Sequence, residues 1–194
     1  MDEQSNARAK RVKFAAKYRP TNVRLLLVAE SPPSSLDRYF YFEDVSQHDG
    51  LFRYVCLGVL GETPDRNEKP PYLTRLRDAG VFLIDVALDP QCRANARQLM
   101  PFIPALIQRC LDLRPKQVVL IKASVYDAAH EPLRAAGLPV LDARIPFPGS
   151  GQQRRFEEAF GRALNEIGWP TPSTPARRTT TPRRRRRARA SRPR

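Results

Sequence analysis

The chain has 194 residues, 34 of them lysine or arginine against 20 acidic ones, giving a net charge of +14 with a hydrophobic content of 41%. That length fits one domain with tails. There is no apolar run of about 18 residues, which excludes a membrane-spanning helix. The three cysteines, Cys56, Cys92 and Cys110, are odd in number, widely spaced and without CxxC, so neither a disulfide framework nor a zinc site is expected.

The opening MDEQSNARAKRVKF lacks the apolar core of a secretory signal, and a cytoplasmic protein is expected. The charge is lopsided: residues 170–194 hold ten arginines and no acid, and the rest of the chain is left with a net charge of +4. A run such as Arg183, Arg184, Arg185, Arg186 and Arg187 suits nucleic acid, because each cation that neutralises a phosphate releases a counterion.

In chain order, residues 1–21 read as a polar, basic and frayed segment with a short helix around Val12 to Tyr18. Arg24 onward reads RLLLVAESPPSSLDRYFYF: an apolar strand over 23–29, then Glu30, then Ser31, Pro32 and Pro33, which stop the strand. Such a run fits a central parallel strand, at whose carboxyl end open α/β sheets bind ligands. The aromatics Tyr39 to Phe42 suggest a flat apolar wall beside that carboxylate. Leu51 to Leu60 reads as a buried helix, and Tyr72 to Ala79 as a second, capped by Gly80.

Val81 to Ile84 is a second strand ending on Asp85, and Ile103, Leu106, Ile107, Cys110 and Leu111 form one helical face. Val118 to Ile121 is a third strand, followed by Lys122. A helix over 125–136 is expected to break at Pro132. Val140 to Ala143 is a fourth strand leading into the turn RIPFPGSG, and the last helix spans 152–167. The expected fold is therefore α/β: a three-layer α/β/α domain over 22–168 with a short four-stranded parallel sheet. A disordered basic tail is expected over 169–194.

Two proline-rich turns, at 29–35 and 145–151, each follow a strand and face one cleft if the strands share a sheet. This pattern resembles the uracil-DNA glycosylase superfamily. Ala29-Glu30-Ser31-Pro32-Pro33 is similar to its first motif, G-[QE]-x-P in the GEAPG form. Ile145-Pro146-Phe147-Pro148-Gly149-Ser150 stands where the family has H-P-S-P-x-S. LIDVALDP looks like its second strand, and VVLIKASVYDAA like its VxLxG strand and following helix.

The resemblance implies hydrolysis of the N-glycosidic bond of a base flipped out of DNA. Glu30 is then the catalytic carboxylate. Phe40 or Tyr41 stacks on the base, with Pro32 and Pro146 beside it. Asp85, where the family usually has Asn, reads the base edge. Ser31, Ser150, Arg154 and Arg155 meet the DNA backbone, and the arginine tail tethers it. The chain departs from the family at Ile145 for its His, at Phe147 for its Ser, and at Ala29 for its Gly. The GEAPG branch carries a four-cysteine iron–sulfur cluster, and three cysteines elsewhere imply none here; no metal or other cofactor is expected. His48 and His130 lack ligand spacing. DNA is the expected partner, with no membrane and a single copy of the chain. The alternative is a nucleic-acid-binding protein that keeps the fold without the chemistry; a small-substrate α/β hydrolase is a third reading.

Overall fold

A computed structural model describes residues 3–35, 38–45, 49–91, 94–149 and 151–170. Cys92, His48, Ser150 and the tail arginines Arg183 to Arg187 lie outside the described residues.

The core grows from β1 (Leu25–Ala29), whose five side chains are all buried. A strand apolar at every position needs cover on both faces and partners on both edges. β1 has both partners: it pairs in parallel with β2 (Val81–Asp85) on one side and β3 (Gln117–Leu120) on the other, in the order β2-β1-β3.

The expected fourth strand does not form a ladder. Among the described residues only two parallel bridges extend beyond β3, Val118 to Val140 and Ile121 to Ile145. Three steps along β3 face five along the other segment, so two residues must bow out. Side chains set where this happens. Arg144 makes a two-pronged pair with Asp127, at 2.9 and 2.7 Å, and the Tyr126 hydroxyl donates to Asp142. Both draw the segment towards the helix that precedes it, Ala123–Ala135. The sheet is thus three-stranded, open and parallel, and the carboxyl ends of its strands, together with Ile145, share one edge.

The helices are α1 (Glu3–Lys17), α2 (Gly50–Leu60), α3 (Lys69–Asp78), α4 (Ala96–Leu99), α5 (Ile103–Leu113), α6 (Ala123–Ala135) and α7 (Gln153–Glu166). They contact one another in two groups, α2 with α3 and α7, and α4 and α5 with α6. The helix α6 runs through Pro132 without the expected break. The proline falls in the last turn, so the lost i→i−4 hydrogen bond and the crowding of the ring against the carbonyl four residues back disturb only the end of the helix.

The N-terminal segment is a docked helix and not a frayed one. Phe14 meets the Phe42 ring edge-on at 5.1 Å, and the Tyr18 hydroxyl donates to Glu43 at 2.7 Å. Arg11 is buried beneath it. At the other end Trp169 is also packed, its indole N–H donating to Val59 and its ring under Arg24, so it belongs to the domain and not to the tail. Among the described residues no helix is long and apolar enough to cross a membrane.

The contact of α2 with α7 depends on Gly58. A β-carbon there would stand 2.6 and 2.7 Å from ring atoms of Phe160, itself only 1% exposed. Gly58→Ala gains about 1 kcal/mol of helix propensity but forces overpacking worth about 1–3 kcal/mol. The expected net is a destabilisation of up to about 2 kcal/mol, larger for Gly58→Val, read as a lower urea midpoint with an unchanged m-value.

Candidate active site at the carboxyl edge of the sheet

From β1 the chain passes to β2 on one side, and β3 lies on the other, so the strand order reverses between β1 and β3. Open α/β sheets bind ligands in the crevice at such a switch point. Glu30 follows β1 and Lys122 follows β3 there. The Lys122 ammonium donates to Oε2 of Glu30, and the Ser124 hydroxyl donates to the same oxygen at 2.9 Å. Among the described residues Oε1 has no protein hydrogen-bond partner. The Glu30 side chain is 12% exposed and that of Lys122 32%, so the pair is sheltered yet reachable.

Lys122 holds this position at a conformational cost. Its φ of 87° and ψ of 137° lie in a region open to glycine and resisted by any β-carbon. Such residues cost of order 1–3 kcal/mol and persist where surrounding structure fixes them. Here the fixing bonds are Lys122 N–H to the Ile145 carbonyl at 2.9 Å and Ile121 N–H to Val28 at 2.8 Å, with the Lys122 carbonyl accepting from Val125 and Tyr126 at the start of α6.

One strand over, a cavity of about 320 Å³ opens between α1, β2 and α5. Pro32, Tyr39 and Asp85 line it together with apolar walls such as Phe82 and Leu88, and with Arg8, Arg11 and Arg109. Burial pushes the Asp85 carboxyl up to about 7, against the opposing pull of Arg109 and Arg11. Near neutrality it therefore exchanges between a form that donates and accepts and one that only accepts. Burial holds the Arg109 guanidinium below its usual range.

Arg109 donates to the carbonyls of Asp85 at 2.8 Å and Val86 at 2.7 Å, closing the open end of β2. Arg109→Met leaves both carbonyls without that donor and is expected to cost about 2–4 kcal/mol. The loss should be larger at pH 8 than at pH 5, since only ionised Asp85 is attracted by the guanidinium. Urea unfolding at the two pH values reads both effects.

A second buried cation lies behind the aromatic loop. Lys69 is 2% exposed, donates to the Tyr39 carbonyl at 2.9 Å, and stands 3.5 Å from Asp49 and 4.6 Å from the Phe52 ring centre. Burial lowers its pKa and Asp49 opposes the shift. Asp49 also caps α2 by accepting from Phe52 N–H at 3.0 Å. Lys69 thereby fixes the loop that carries Tyr39 into the cavity.

The residues singled out from the sequence are thus divided. Glu30, Pro32 and Asp85 come together at this edge. Phe40 and Tyr41 do not offer open faces. Phe40 packs edge-on against Phe52 at 5.3 Å, and the Tyr41 hydroxyl donates to the Leu83 carbonyl and accepts from its N–H. Both rings are core, Phe40 against Phe52 of α2 and Tyr41 against Phe82 of β2, and Tyr39 takes the cavity position instead. The Ser31 hydroxyl accepts from Gln91 N–H and so ties two loops of the edge.

Ile145 is fully buried as a sheet bridge, with Pro146 half-buried after it, while Phe147 stands 44% exposed. Arg154 and Arg155 are exposed in the first turn of α7, engaged with Glu158 and Gln152. His130 stacks on Tyr126 at 4.4 Å, its ring nitrogens 3.0 Å from Glu131 and 3.7 Å from Asp142, and among the described residues no three ligating side chains gather into a metal site. Sequence reading missed Lys122 and Ser124 as partners of Glu30, and Arg11 and Arg109 around Asp85. The one available signal was a lysine directly after the third apolar strand.

The fold and site define a class: an open parallel α/β domain with an acid–amine pair at its switch point and a basic, largely apolar cavity beside it. No protein-family model matches the chain, and no curated protein matches it significantly.

Proposed function

We propose that the protein is a DNA-base hydrolase of the uracil-DNA glycosylase type, cleaving the N-glycosidic bond of a base flipped out of the duplex. The observation that carries this reading is Glu30, sheltered at the switch point and held by Lys122 and Ser124. The reaction passes through a sugar cation, and a fixed carboxylate stabilises it and orients the attacking water. The right-handed crossover rule assigns the two helix groups to opposite faces. This supports the three-layer arrangement the motifs imply.

The cavity lined by Pro32, Tyr39 and Asp85 has room for a nucleobase. A carboxyl poised near pH 7 there offers a donor–acceptor pair to a base edge. Phe147, exposed on the turn after Ile145, is the kind of apolar side chain that wedges between base steps. The net charge of +14 supplies non-specific attraction to phosphates.

A second reading is favoured by Ile145: this buried side chain has no donor for the anion of a departing base. It leaves a nucleic-acid-binding protein without chemistry. End-labelled oligonucleotides with single uracil, hypoxanthine or xanthine residues, single- and double-stranded, separate the two. Wild type is run beside Glu30→Ala and a truncation after Trp169. Alkali-labile sites made by wild type and lost in Glu30→Ala establish the hydrolase and name its base. No base release, with salt-dependent binding that the truncation abolishes, leaves the binding protein.

A further inference from the structure

We infer that Lys122 is itself a reactive amine, and that on DNA carrying an abasic sugar it forms an imine at C1′ and cleaves the strand. This lyase activity rests on the reading that Glu30 meets the deoxyribose. It follows from one contact: the Lys122 amine touches the Glu30 carboxylate. Any sugar carbon set against Glu30 is therefore also set against that nitrogen, and position supplies much of the rate of such additions.

Access and placement agree. Lys122 is 32% exposed, whereas its partner is 12% exposed. The chain has six lysines. Lys10, Lys13 and Lys17 ride on α1, Lys69 is buried and engaged, and Lys116 precedes β3 at the opposite edge. The arginine tail contains no lysine, so it brings no competing amine. The backbone at 122 takes a conformation that glycine would adopt without strain, yet a long amine stands there, aimed at Glu30.

The chemistry balances on these two side chains. Lys122 passes its ammonium proton to Glu30, and the free amine adds to the C1′ aldehyde of the ring-opened abasic sugar. Glu30 returns that proton to the departing hydroxyl, water leaves, and a C1′=N imine remains. Glu30, ionised again, takes a proton from C2′. A C2′=C3′ double bond forms as the C3′–O bond breaks, releasing the downstream strand with its 5′-phosphate. Water then hydrolyses the imine, restoring the amine and leaving an unsaturated aldehyde on the upstream strand.

The test uses the full chain and an end-labelled duplex with one pre-formed abasic site, with and without sodium borohydride. Wild type should give a borohydride-dependent covalent adduct that peptide mapping locates on Lys122. Without borohydride it should give a nick with no alkali. Lys122→Arg keeps a cation beside Glu30 but should lose both products. Lys122→Gly should lose them too while melting no lower than wild type, because glycine accepts that φ without strain.

An adduct on another amine, equal trapping by Lys122→Arg, or no trapping by wild type overturns the inference. Because the abasic substrate needs no base removal, the two readings fail separately. Trapping without base release sinks the hydrolase and keeps the lyase; base release without trapping does the reverse.

Discussion

At pH 8, Asp85→Asn is expected to be more stable than the wild type, with the difference disappearing near pH 4. The sign follows from linkage. Burial raises the Asp85 carboxyl from 3.8 to about 7 in the folded chain. Between those values the folded state binds a proton that the unfolded state has released, so stability falls as pH rises through the window. The contribution is whole below the unfolded value and gone above the folded one. Three units correspond to about 4 kcal/mol, an upper bound since the asparagine amide must also be satisfied in the cavity. Asparagine is nearly isosteric and does not titrate, so its stability should be flat between pH 4 and 7 where the wild type slopes.

Three other carboxylates shift in the opposite direction. Glu43, Glu62 and Asp127 are held below the usual range, chiefly by hydrogen bonds from Lys17, Arg75 and Arg144. Their stabilising contributions are lost only as pH falls further. Urea midpoints measured in half-unit steps of pH resolve the two regimes, and a wild type flat from pH 5 to 7 rules out a buried titrating Asp85. The same titration bears on function: above pH 7 Asp85 only accepts, so a base edge that also needs a donor should bind less tightly.

The strands were legible because burial on both faces writes itself as an unbroken apolar run: Leu25 to Val28, Val81 to Ile84 and Val118 to Ile121 each fall in or directly beside a strand. The fourth run, Val140 to Ala143, looked alike but was too short to outweigh the pull of Arg144 and Asp142 towards α6. Its fate depended on side-chain partners distant in sequence, which periodicity does not encode. For the same reason α1 read as frayed: its mean hydropathy is polar, and what docks it is Arg11, Phe14 and Tyr18 meeting residues beyond position 39. The acid at the site was legible because a strand end delivers it. Its partner lies 92 positions away and became visible only when β3 paired with β1. Lys122 occupies the glycine position of the VxLxG pattern its strand resembles, and its φ of 87° is a glycine's. The lysine is visible in the sequence, but its contact with Glu30 needed the fold.

Glu30→Gln should abolish most base release while leaving the protein folded, and that separation distinguishes a catalytic carboxylate from a structural one. The substitution keeps the shape and an acceptor for Ser124 but removes the charge that offsets the sugar cation. Loss of such a group costs about 10²–10⁴-fold in rate. The damage is compounded because Lys122 is left as an unopposed cation beside a developing one. Removing that cation as well, in Glu30→Gln with Lys122→Met, should therefore restore part of the lost rate, a non-additivity of the kind expected for groups in contact. Stability should change little, within about 1 kcal/mol, since the pair keeps access to solvent through a one-third exposed lysine. Single-turnover base release and urea midpoints on the single and double variants test this directly. A midpoint shift that matches the rate loss would mean that Glu30 holds the edge of the sheet together, and that the chemistry lies elsewhere.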